Sequence, residues 1–148
     1  MLVNTFKSLF TRELLQLKSE LELYTLEENI WLVDKNITNC AGNLALHLVG
    51  NLNTYIGLVL GGIEYVRNRP EEFSLKNIPR NELSGKIDVT IGLIDQTLSN
   101  LTDDQIMAAY PQKFLEKTQS THHVLTHLAM HLSYHLGQIN YHRRLLDI

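Results

Sequence analysis

Apolar residues recur along this chain in steps of three and four, and no segment keeps an alternation of period two. Phe6, Phe10, Leu14, Leu17 and Leu21 mark one face of a segment running roughly from Val3 to Tyr24, whose other face carries Lys7, Arg12, Lys18 and Glu22. That spacing predicts an amphipathic α-helix. A second segment, Cys40 to Tyr65, is apolar nearly all round, with Thr38 or Asn39 placed to cap its start. Gly61-Gly62 would bend or fray its end, and Arg67-Asn68-Arg69-Pro70 is predicted to stop it, because proline cannot continue the hydrogen-bond ladder. A loop is predicted over Glu71 to Pro79. The third helix, Arg80 to Leu101, presents Leu83, Ile87, Ile91, Ile94, Leu98 and Leu101 to the core. Thr102 to Lys117 reads as irregular, with Thr102 able to cap a short turn, and the last helix runs from about Ser120 to Leu146. Long helices joined by moderate connections predict an all-α chain, a four-helix bundle forming a single domain over residues 1–148.

Composition narrows the partners. At 148 residues, with 44% hydrophobic and 20% charged, the chain can bury a substantial core. The net charge is −3 and Lys and Arg do not cluster, so no nucleic-acid footprint is read. The most apolar stretch, Ile56 to Ile63, is too short to span a bilayer, and the N-terminus does not read as a signal peptide, so no membrane partner and a cytoplasmic location are expected. A single cysteine, Cys40, excludes an internal disulfide and a thiolate zinc knuckle.

The candidate chemistry lies in histidine. Of 7 histidines, all but His47 fall in "THHVLTHLAMHLSYHLGQINYH", Thr121 to His142. At about 100° per residue, His127, His131, His135 and His142 form one stripe together with Gln138, and His123 lies to one side. Leu128, Leu132 and Ile139 flank that stripe on one shoulder, and Met130, Tyr134 and Tyr141 on the other. His122, Thr126, Ser133 and Asn140 lie opposite, so the stripe is expected to face inward and His122 outward. Buried imidazoles need partners, since an unsatisfied ring costs about 1–3 kcal/mol. A cation would satisfy several neutral rings at once, and side chains at i and i+4 share one helical face, so His131 and His135 can both reach one ion.

His47 is central in "NCAGNLALHLVGNLNTYIG", where Asn43, His47, Asn51 and Thr54 form a narrow polar stripe on an otherwise apolar helix. Two accounts compete: Asn hydrogen bonds that serve only the fold, or His47 facing the last helix as a third ligand. The all-round apolarity of this helix also predicts a surface for a partner, most simply in a homodimer.

Two motifs together resemble a known family. "HLSYHLGQI", His131 to Ile139, is similar to the H-x-x-x-H-x-G-Q-I signature of the DinB-like superfamily, and "NLALHLVGNL", Asn43 to Leu52, resembles its single-histidine motif on the second helix. The resemblance covers the whole chain and is nearest to a small bacterial branch carrying N-L-x-L-H-L-x-G-N-L. It implies a four-helix bundle holding zinc or nickel through His47, His131 and His135. Characterised relatives are transferases that use bacillithiol, mycothiol or glutathione, with maleylpyruvate isomerase a variant. The implied partners are therefore a small-molecule thiol and a small electrophile.

Three neutral imidazoles would leave the charge of such an ion intact and a position open, which is a catalytic arrangement. A thiol there would be held as the nucleophilic thiolate, and water would be activated similarly to give hydrolysis. A non-catalytic metal-binding dimer in stress response is the remaining alternative. His127, one turn before the motif, is a candidate catalytic base, a support for a ligand, or a fourth ligand; three ligands on one straight helix would spread over about 12 Å, which favours a non-ligand. Gln138, Asn51 and Tyr134 are candidates for supporting a ligand or contacting substrate. Other metal and nucleophile patterns are absent: no Glu-x-x-His occurs, and Leu132 rather than Glu follows His131. Cys40 is read as a small buried residue at a helix start.

Overall fold

The computed structural model describes residues Met1–Ile148. Its first helix, α1 (Leu2–Glu22), buries Phe6, Phe10, Leu14, Leu17 and Leu21, the face that the spacing predicts. A 3₁₀ turn, Glu27–Trp31, leads toward α2 (Ala41–Leu52), which continues without a break into a wider π-helical stretch, Asn53–Leu58. Short α3 (Arg69–Ser74), long α4 (Arg80–Ser99), short α5 (Asp103–Met107) and long α6 (Thr121–Leu146) complete the chain. The fold is thus a four-helix bundle of α1, α2, α4 and α6 with additional short helices and no strands. Helix α1 packs on α4 and α6, and α2 on α3, α4 and α6. Leu14, Leu17, Leu48, Leu52, Ile56, Ile87, Leu128 and Leu132 meet in the core with no exposed surface, each side chain contributing about 1.5–3 kcal/mol.

The second segment departs from its predicted limits. Cys40, not Thr38 or Asn39, precedes the first turn of α2, and no side chain caps it. The helix widens where Val59 N donates to Thr54 O (3.1 Å) and Gly61 N to Ile56 O (3.0 Å), bonds that span five residues. Gly62 then ends it: at φ 62 it adopts the left-handed conformation that glycine takes without penalty. Proline is therefore not the stop. Pro70 lies in the first turn of α3, where its missing N–H costs nothing, and Asn68 caps that turn through Glu71 N. The predicted loop over Glu71 to Pro79 accordingly begins as helix. Thr102 does cap a short helix, with Gln105 completing a reciprocal capping box.

Helix α2 spends its apolar faces inside the chain. Every residue from Ala41 to Leu48 is buried, so the first half of the predicted segment turns its apolar residues inside the chain, while Leu58 beyond it is exposed. The two ends of α6 are tied by polar contacts. Ser120 caps its start through His123 N, and Asp147, beyond its end, accepts from Thr25 N, Leu26 N and Asn29 Nδ2. On its α1 side, buried Glu20 accepts from Asn140 (2.8 Å) and Arg143 (2.9 Å). No helix is long and apolar enough to cross a membrane.

Candidate metal centre

Helices α2 and α6 run antiparallel. Leu44, near the start of α2, shares a cleft of about 330 Å³ with Gln138 and Tyr141, whereas Tyr55, beyond its end, packs on Phe114, which meets His127 edge-on. This pairing sets His47, midway along α2, opposite the turn of α6 that carries His131 and His135. The Nε2 atom of His131 lies 3.2 Å from His47 Nε2 and 3.1 Å from His135 Nε2. The rings meet nearly at right angles in all pairs, 78°, 87° and 86°, so three ring edges converge on one point. An ion bound tetrahedrally by imidazoles at about 2.0–2.1 Å needs nitrogens about 3.3 Å apart. The two spacings that His131 makes are close to that, and the ligating atoms of all three rings lie within 4.8 Å of one another.

Proton accounting favours a cation at this point. His47 Nδ1 faces the Glu72 carboxylate (Oε1, 3.0 Å), and His135 Nδ1 faces Gln138 Oε1 (2.7 Å). Both oxygens accept, so both Nδ1 atoms carry the proton and both Nε2 lone pairs point at His131 Nε2. A proton on His131 Nε2 can serve one of them, and then the other lone pair stays unmatched. His131 Nδ1 is buried with no partner either way. Burial first, and then the neighbouring His135, His47 and His127, push His131 down to about 4. Burial also lowers His47, opposed by its hydrogen bond to Glu72. Both rings are therefore neutral, the form that ligates, near neutral pH. The trio is capable of coordinating a divalent metal, and no other ligating side chain belongs to the cluster.

The remaining predicted residues divide. Gln138 reaches His135 directly. His127 stacks parallel to His131 with ring centroids 6.5 Å apart and makes no hydrogen bond, so it stands beside the cluster. Tyr134 is 65% exposed, its ring edge-on to His135 at 5.4 Å. Asn51 is buried one turn beyond His47, its Oδ1 unpaired. The predicted orientation of α6 needs correction. Its buried face includes Val124, Leu125, Leu128, Leu132, Leu136 and Ile139, while Met130, Tyr134 and Tyr141 are exposed, which puts His127, His131 and His135 at the margin of the core and leaves His142 buried. His122 is not outward: it is half-buried and packs edge-on against Phe6 (5.6 Å), and His123 is the exposed one.

Several residues escaped the sequence reading. Glu72, on α3, is clamped by Arg67 through Nε–Oε2 (2.8 Å) and Nη2–Oε1 (2.9 Å). Phe73 lies 5.0 Å from the His47 ring, and Arg69 stacks over Phe73. A signal was present in "NLALHLVGNL": a glycine inside a helix costs about 1 kcal/mol against alanine and so asks for a packing reason. A Cβ on Gly50 would lie 1.9 Å from Glu72 Oε2, so the glycine is the seat of that carboxylate. Asn43 in the same motif donates to Glu72 O (2.9 Å) and Leu75 O (2.7 Å), pinning α3 over α2.

With the geometry in place, a family model described as a protein of unknown function (DUF1572) matches residues 3–147. The chain belongs to the DUF1572 family. Its DinB-like character rests on that match, and the family description assigns no reaction. No curated protein matches this DUF1572 chain. Two further DUF1572 residues are structural. Cys40 has no exposed surface and donates to Asn43 Oδ1 (2.9 Å). His142, in line with His131 and His135, instead donates from Nε2 to Leu32 O (2.8 Å) and accepts the Tyr24 hydroxyl at Nδ1 (2.7 Å).

Proposed function

We propose that His47, His131 and His135 hold one zinc or nickel ion and that the protein is a metal-dependent S-transferase joining a low-molecular-weight thiol to a small electrophile. The observation that carries this reading is the convergence of three imidazole Nε2 atoms with no fourth side chain to close the set. A divalent ion held there would lower the pKa of a thiol taking the open position, favouring the thiolate. The thiol proton leaves to a base, the S–C bond forms, and the electrophile's leaving group departs with its electron pair, or carbon takes up a proton in an addition. His127 lies one turn from His131 and makes no hydrogen bond, which leaves its ring free to take that proton. Gln138 keeps His135 in the Nδ1–H form. Asn51 and Tyr134 border the cluster from the buried and exposed sides and are the polar groups available to a substrate.

The reading includes a cytoplasmic location, one domain and a homodimer. Support for the homodimer comes from α6, where Met130, Tyr134, Tyr141 and Leu145 are exposed. The test is conjugation of bacillithiol, mycothiol and glutathione to a chromogenic aryl halide by zinc- or nickel-loaded protein. Metal-dependent turnover with at least one thiol, lost in His131→Ala, is expected. Background rates with all three, in a protein that binds metal, would leave a non-catalytic metal-binding protein.

A further inference from the structure

Among the groups around the cluster, the carboxylate of Glu72 is the least expected. Its side chain is 7% exposed, and its partner is Arg67 rather than solvent. Burying an ion pair gains little stability by itself, because desolvation offsets the attraction. The pair is also placed at some cost to the helix beneath it, since Gly50 gives up a side chain to let the carboxylate approach. What the carboxylate meets at the end of that approach is His47 Nδ1, at 3.0 Å.

We infer that Glu72, clamped by Arg67 and seated on Gly50, is a positioning residue that holds His47 as the Nδ1–H tautomer and aims its Nε2 lone pair at the point shared with His131 and His135. The alternative tautomer, with the proton on Nε2, would set the Nδ1 lone pair against a carboxylate oxygen and drive a proton into the cluster. Arg67 Nη2 is the only donor near that lone pair, and at 3.4 Å it is a longer and weaker partner than the Glu72 carboxylate is for an Nδ1–H at 3.0 Å. Arg67 and Glu72 together carry no net charge, so the tautomer is selected without adding a negative ligand. Because Glu72 belongs to α3 and Asn43 ties α3 to α2, the aim of the α2 ligand depends on α3 being docked. The inference rests on the metal reading above and extends it to residues outside the ligand set.

The experiment has two parts on the full chain. In metal-free wild type, ¹⁵N–¹H correlation of the His47 ring should place the proton on Nδ1; a proton on Nε2 overturns the inference, and this part needs no variant to fold. In competition with a chromophoric zinc chelator, Glu72→Gln should bind zinc about 10–100-fold more weakly than wild type, as loss of a partner behind a ligand does, while Glu71→Gln, at an exposed neighbour, should match wild type. Zinc affinity of Glu72→Gln within twofold of wild type overturns the inference and leaves the metal reading standing. Failure of wild type itself to compete for zinc removes the metal reading and the inference with it.

Discussion

His131 and His142 lie on the same helix and both have low exposure, yet the fold treats them differently. His142 is complete: one nitrogen donates to Leu32 O, the other accepts from Tyr24, and no atom of the ring asks for anything more. His131 is incomplete: its Nδ1 is buried without a partner and its Nε2 faces two lone pairs. Burial depresses both rings, so a lowered pKa does not separate a ligand from a structural histidine. Hydrogen-bond accounting does, because a protein that leaves buried polar atoms unmatched stores a demand that a ligand can meet.

The largest expected effect breaks the comparison at the site. His131→Ala should lose zinc by more than the roughly 100-fold that follows loss of an outer partner, whereas His142→Ala should retain wild-type metal content by elemental analysis after dialysis. Removing an incomplete ring should cost the metal-free protein little, and equal urea midpoints for metal-free wild type and His131→Ala would sharpen the contrast. Stability should move the other way at His142. His142→Ala leaves the buried Tyr24 hydroxyl unmatched, removes the donor to Leu32 O and opens a cavity, an expected loss of about 2–4 kcal/mol in urea unfolding.

A smaller effect comes from pH. Because His142 in the folded protein lies below its ordinary value of 6.5, the unfolded chain takes up a proton first. Its contribution is therefore present above about 6.5 and is lost as pH falls from there toward the folded-state value, with a slope of at most about 1.4 kcal/mol per pH unit. The urea midpoint of wild type should drop between pH 7.5 and 5.5 by more than that of His142→Asn. Parallel curves would contradict the depressed value.

The sequence carried the candidate histidine trio because side chains that meet on one helix must obey helical spacing. His131 and His135 are legible as i and i+4, and His47 stands out as a charged-capable ring on an apolar helix. Their support was legible only where it was local: Gln138 lies one turn from His135, whereas Glu72 reaches His47 from a different helix, and hydropathy patterns hold no information on such a contact. The same limit explains the misread face of α6. Met130, Tyr134 and Tyr141 count as apolar in an angular survey, but whether an aromatic shoulder is buried depends on which helix stands beside it. The π-helical stretch after Leu52 was invisible for a related reason: a bond of five residues shifts the apolar register by about one residue, and a segment apolar nearly all round does not show the shift.

The central claim is that three imidazoles, one from α2 and two from α6, share a single ion. X-ray absorption at the metal edge of zinc-loaded protein tests it most directly. One zinc per chain, with three imidazole nitrogens at about 2.0–2.1 Å and a first shell that changes in His47→Ala, is the predicted result. A shell with fewer than three imidazoles, or one identical in His47→Ala, would contradict it.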